Sequence, residues 1–160
     1  NGNFKISELL IKLFKEDNED ARKVLSERVD KKVVSDLYND LKLSHSSLTI
    51  VDLAKFLRLV YNSTYVADNN LSELILKLMA ENNHTEAIRN AFDPSVKLAG
   101  LDNDAMRNGV AEMQEMAIVY KDQNPYLIGV FCKGKDSAKL HEVITQVSAV
   151  CKNSYYNLLN

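Results

Sequence analysis

Residues 115–134, EMAIVYKDQNPYLIGVFCKG, limit the fold of this chain more than any other stretch. Two apolar runs, Met116 to Tyr120 and Tyr126 to Cys132, flank a polar turn that ends in Pro125. Apolar runs of this length, bounded by turn residues, read as the two strands of a hairpin. A hairpin with one wet face should alternate apolar and polar along each strand, whereas these runs are nearly continuous. They therefore read as more buried than an edge pair should be.

Everything before the hairpin has a different period. Ile6, Leu9, Leu10, Leu13 and Phe14 fall on one helical face, and polar KEDNED ends that segment. Helical spacing resumes over Ala21 to Val29 and again over Val33 to Leu41. Thr49 followed by Asp52 places an N-cap hydroxyl and an acid in a first turn, which predicts a helix from Ile50 to Tyr61. Leu71 to Met79 and Glu86 to Phe92 complete a set of about six short helices before Pro94. After the proline, SVKLAG reads as extended and LDNDAMRNG as loop. The closing segment, Ser137 to Leu159, sets Leu140, Val143, Ile144, Val147, Val150 and Cys151 at helical spacing.

The expected fold is α+β: a helical subdomain over 5–93, then a three-stranded antiparallel sheet with a C-terminal helix packed on it over 94–160. Three strands and one helix are a poor free-standing unit, because the edge strands carry unpaired backbone groups. The second unit is thus expected to be incomplete, needing more strands or other cover.

Of the 160 residues, 46% are hydrophobic and 26% charged, the balance of a chain with a real core. A net charge of -2 gives no electrostatic reason to bind nucleic acid, which clustered Lys and Arg would favour. No apolar run approaches the roughly 20 residues of a membrane span. Cys132 and Cys151 belong to no Cys-x-x-Cys or Cys/His cluster, so neither a metal nor another cofactor is expected.

The order TIVDLAKFLRLVYNSTYV, LSELILKLM, an extended segment with a Lys and a Gly, MAIVYKDQNPYLIGVFCKGKD and a closing helix resembles the class A β-lactamase and penicillin-binding-protein-like serine hydrolases. The likeness runs from about Leu9 to Tyr156 and corresponds to the later two-thirds of a family member, which implies that the hairpin strands are inner strands of a larger sheet and that 94–160 is part of an incomplete α/β domain, completed by an N-terminal segment or a second chain. It implies a fold in which the hairpin lies beside the active site. The implied activity is serine acylation by β-lactams or D-Ala-D-Ala peptides, in an extracytoplasmic setting. The family uses three motifs: S-x-x-K for nucleophile and base, S-D-N on the helical part, and K-T-G on the neighbouring strand.

None of the twelve serines is followed three residues later by lysine, so the chain holds no S-x-x-K pair. A serine hydroxyl is a weak nucleophile without a base in hydrogen-bond reach. Glu16-Asp17-Asn18 matches S-D-N in its last two residues, with a carboxylate in place of the hydroxyl. An ionised carboxylate only accepts hydrogen bonds and cannot relay the proton as a hydroxyl does. The same residues also suit a capped turn between helices. Lys97-Leu98-Ala99-Gly100 is the nearest match to K-T-G, with one residue inserted and no threonine. Along a strand that spacing sends Lys97 and Gly100 to opposite faces unless a bulge intervenes. The alternative for Lys97 is an ordinary exposed strand lysine.

The family's deacylating loop glutamate has no counterpart in LKLSHSS, where His45 is the titratable residue; nothing in sequence groups His45, His84 and His141. Two functional readings follow. One is a fragment or pseudoenzyme of this hydrolase family with a peptidoglycan-like or β-lactam ligand. The other is a non-enzymatic module whose open sheet edge pairs with a strand of a protein partner.

Overall fold

The computed structural model describes residues 5–43, 48–64, 69–82, 84–121 and 124–159. Three helices come first: α1 (Ile6–Glu16), α2 (Glu19–Arg28) and α3 (Lys31–Asp40). α1 ends where Asp17 turns into the left-handed region, φ 45°, and Asn18 N–H reaches back to Lys12 O at 3.3 Å. Asn18 then starts α2, its Oδ1 accepting from Ala21 N–H at 2.9 Å, and Asp30 caps α3 through Lys32 N–H at 2.8 Å. α4 (Ile50–Tyr61) has the start its sequence predicts. Thr49 Oγ1 accepts from Asp52 N–H, and Asp52 Oδ2 accepts from Thr49 N–H at 3.0 Å. α5 (Asn69–Ala80) and the single turn α6 (Glu86–Arg89) complete the helical part.

The sheet holds four strands, β1 (Lys97–Asp102), β2 (Ala105–Arg107), β3 (Val110–Tyr120) and β4 (Tyr126–Gly134). It is nevertheless three strands wide. β4 pairs along one side of β3, from Val119↔Tyr126 to Ala111↔Gly134. β1 and β2 share the other side, at Lys97↔Tyr120 to Asp102↔Glu115 and at Ala105↔Glu112 to Arg107↔Val110. β2 falls in a stretch whose sequence reads as loop, and a two-residue turn explains it. Asn108 at φ 53° and Gly109 at φ 75° occupy the two central positions between paired Arg107 and Val110, the backbone that Asn-Gly provides in a tight hairpin.

Both faces of the sheet are covered. On one side Leu98, Ala111, Met113, Ala117, Val119, Ile128 and Val130 pack with α6 and with Leu140 and Ile144 of α7 (Ser137–Leu159). On the other, Ala99, Met116 and Ile118 meet Leu53 and Leu57 of α4 and Leu76 and Met79 of α5. The helical part thus supplies a layer that the sequence pattern assigns to no element in particular. This double cover explains the unbroken apolar run of β3, whose residues 113–119 are all buried. β3 is an inner strand. β4 is an edge among the described residues, flanked by α7.

Candidate functional site

The turn between α1 and α2 faces the far end of β1 across a cleft of about 210 Å³. Leu13, Phe14 and Leu101 give it an apolar wall, while Asp17, Arg22, Asn82, His84 and Asp102 supply polar groups. It has this composition because three chain reversals converge there: the α1–α2 turn, the connection after α5, and the end of β1. Each presents short polar side chains where the helices and strand stop.

Of the Glu16-Asp17-Asn18 turn, only Asp17 lines the cleft. Its Oδ1 accepts from Arg22 Nη2 at 2.6 Å, and Arg22 Nη1 donates to Glu19 at 2.8 Å. Glu16 is exposed, and Asn18 has its side-chain oxygen committed to capping α2. Gly100 meets Asp17 at the same cleft, so the structure brings these two sequence candidates together. The reason for glycine at position 100 is close packing. A Cβ there would lie 2.5 Å from Met116 O and 2.5 Å from Thr85 Cγ2.

Lys97 lies elsewhere. β1 pairs with β3 without a bulge, so Lys97 and Gly100 project to opposite faces, as their spacing requires. The Lys97 ammonium sits 5.0 Å from the centre of the Tyr120 ring, in a separate groove beside Tyr61 and Lys77. His45 lies outside the described residues.

The group that sequence reasoning misses is the pair His84 and Asp102. His84 Nδ1 lies 3.1 Å from Asp102 Oδ1, and both side chains are about one-third exposed, at 31% and 37%. The backbone N–H of His84 donates to Asn82 Oδ1 at 3.1 Å, which fixes the amide so that Nδ2 points away. That Nδ2 is buried and finds no acceptor among the described residues. Burial pushes the Asp102 carboxyl above the usual range. His84 opposes that shift, and the nearby carboxylates of Asp104 and Asp17 add to it. Directly across the β1–β3 ladder, Glu115 is also pushed up by burial, although it accepts from Ile88 N–H at 2.8 Å and Ala87 N–H at 3.2 Å. Eighteen positions separate His84 from Asp102, so no local spacing announces the pair. The nearest signal is alternation, which puts Asp102 on the same face as Gly100.

Among the described residues no serine lines the cleft. The hydroxyls of Ser72 and Ser148 are buried in helices away from it. Among the described residues no three His, Cys, Asp or Glu side chains converge closely enough to hold a metal ion. No helix among them is long and apolar enough to cross a membrane.

A family model described as "Beta-lactamase enzyme family" matches residues 2–155. Among solved structures, the carbapenemase VCC-1 from Vibrio cholerae N14-02106 is similar, with a TM-score of 0.70 and 18% identity. The match covers 92% of this chain and 65% of that one, so this chain spans less than two-thirds of the solved relative's length. No curated protein sequence matches.

Proposed function

The chain belongs to the β-lactamase enzyme family, and from that premise we propose that it binds a β-lactam or a D-Ala-D-Ala-like peptide in the Asp17–Asp102 cleft without forming an acyl-enzyme of its own. The observation that carries this reading is the cleft itself. It joins Asp17, from the turn resembling S-D-N, to the end of the strand resembling K-T-G, and no serine among the described residues lines it. Acylation needs a nucleophile and a base together, and none of the twelve serines has the S-x-x-K lysine. Glu16 in place of the proton-relaying serine removes a second part of that machinery, as does Lys97 on the opposite face from Gly100. Donors of this kind typically contribute factors of about 10²–10³ each to acyl transfer. A serine nucleophile, if one serves this cleft, comes from a segment or chain outside these 160 residues. The cellular setting that goes with this reading is extracytoplasmic.

Incubation with a fluorescent penicillin tests both halves. The expected result is no dye retained after denaturation, together with saturable anisotropy under native conditions that an unlabelled β-lactam competes away. A covalent adduct on this chain, or no reversible binding, would overturn the proposal.

A second reading is favoured by one observation. The outer edge of β4 has no strand partner among the described residues, and the neighbouring face of α7 leaves Val143, Val147 and Val150 exposed. That combination suits a non-enzymatic module that adds a strand from a protein partner.

A further inference from the structure

Two parts of an acid–base site meet in the cleft, and neither belongs to the motifs discussed above. His84 is a base whose Nδ1 is held 3.1 Å from a carboxylate, which fixes the ring and leaves Nε2 as the nitrogen free to exchange a proton. Asp102 is the orienting carboxylate. The pair lines the cleft with the apolar wall of Leu13, Phe14 and Leu101 beside it. Base, orienter and cavity are parts that general-base transfer of an acyl group to water uses.

We propose that His84, oriented by Asp102, is the proton-transfer group of this cleft and that its substrate class is small activated esters. The proposal rests on the reading that the cleft takes an acyl ligand. His84 Nε2 removes a proton from water as the water oxygen bonds to the acyl carbon and the carbonyl π pair moves onto its oxygen. When the bond to the leaving alkoxide breaks, the proton on His84 passes to that oxygen. Acid and alcohol are released, and His84 is neutral again. Asp102 keeps its hydrogen bond to Nδ1 throughout and needs no change of charge.

The surrounding charges set the pH behaviour. Asp17 and Arg22 face the pair from the α1–α2 turn, Asp104 lies just beyond β1, and Glu115 stands across the ladder with His141 of α7 acting on it.

Hydrolysis of p-nitrophenyl acetate by the full chain, across pH, is the test. The expected rate exceeds that of free imidazole at equal concentration by about 10²-fold or more, the usual reach of a positioned acid–base group. His84→Gln is expected to fall to the level of buffer, and Asp102→Asn to lose roughly tenfold or more in kcat with a displaced pH profile and little change in KM. Thermal melts and NMR spectra of both variants show whether they are folded. Binding of the unreactive amide analogue is followed separately by NMR shifts at Leu13, Phe14 and Leu101. A rate at the imidazole level, or one that folded His84→Gln retains, overturns the assignment of His84 while observed shifts leave the cleft reading intact. Absence of shifts overturns both.

Discussion

Glu115 carries two jobs that pull against each other. Its carboxylate accepts the first N–H groups of α6, which tie that turn to the sheet, yet it is only 3% exposed, and burial disfavours its charge. The net effect is a carboxyl pushed above its ordinary value of 4.5. A folded chain that holds the proton more tightly than the unfolded one gains stability below the unfolded value and loses it as pH rises through the folded value. Comparing wild type with Glu115→Gln by denaturant titration, from about pH 4 to about pH 7, should therefore show the wild type losing ground to the variant as pH rises. A difference that does not change with pH would contradict the assignment. Asp102 illustrates a related limit on reading sequence at this scale. Its carboxyl sits at the cleft because strand alternation and a chain reversal eighteen residues earlier put it beside His84, and neither fact is local. Asn18 and Thr49 were legible because a cap is made with residues two or three positions away.

Elements repeat the same lesson. The bounds of α4 and α7 match their sequence periodicity, but of the apolar stripe expected to pack in α7 only Leu140 and Ile144 are buried, while Val143, Val147, Val150 and Cys151 are exposed. β2 was not legible in LDNDAMRNG, where three residues in a polar stretch carry too little pattern. The informative feature there is the dipeptide Asn108-Gly109, not the strand. Gly109 at φ 75° has open space around its Cα, so Gly109→Ala meets no clash and pays only for backbone conformation. A loss of about 1 kcal/mol is expected, measured by urea unfolding. A much larger loss, or none, would mean that the turn is not the two-residue hairpin described.

At the scale of the molecule, the sheet is what the helical part and the C-terminal helix share. Leu57 of α4 and Ile144 of α7 are both fully buried, on opposite faces of the same strands. Truncating either to alanine is expected to cost about 2–5 kcal/mol. Both variants should melt in one transition, because neither layer can leave without exposing β3. Two separate transitions by calorimetry would show that the layers unfold independently. The sequence division at 93/94 marks where the period changes from helix to strand. It carries no information about which helices cover which face, since apolar stripes specify that a face is buried and not what buries it.

The arrangement of the strands also sets the order in which they can form. β2 and β3 meet through two residues, β3 and β4 through a short turn, and β1 continues the line of β2 along the same side of β3. Each pairing in this sheet closes a short loop, and hairpins of that kind form in about 1–10 μs. No strand of the described sheet waits for a distant one. A strand added to the free side of β4 from outside this hairpin series would come late, because a longer loop raises the entropic cost of its arrival. Assembly in time would then run outward from the Asn108-Gly109 turn, with the edge of β4 as its last position.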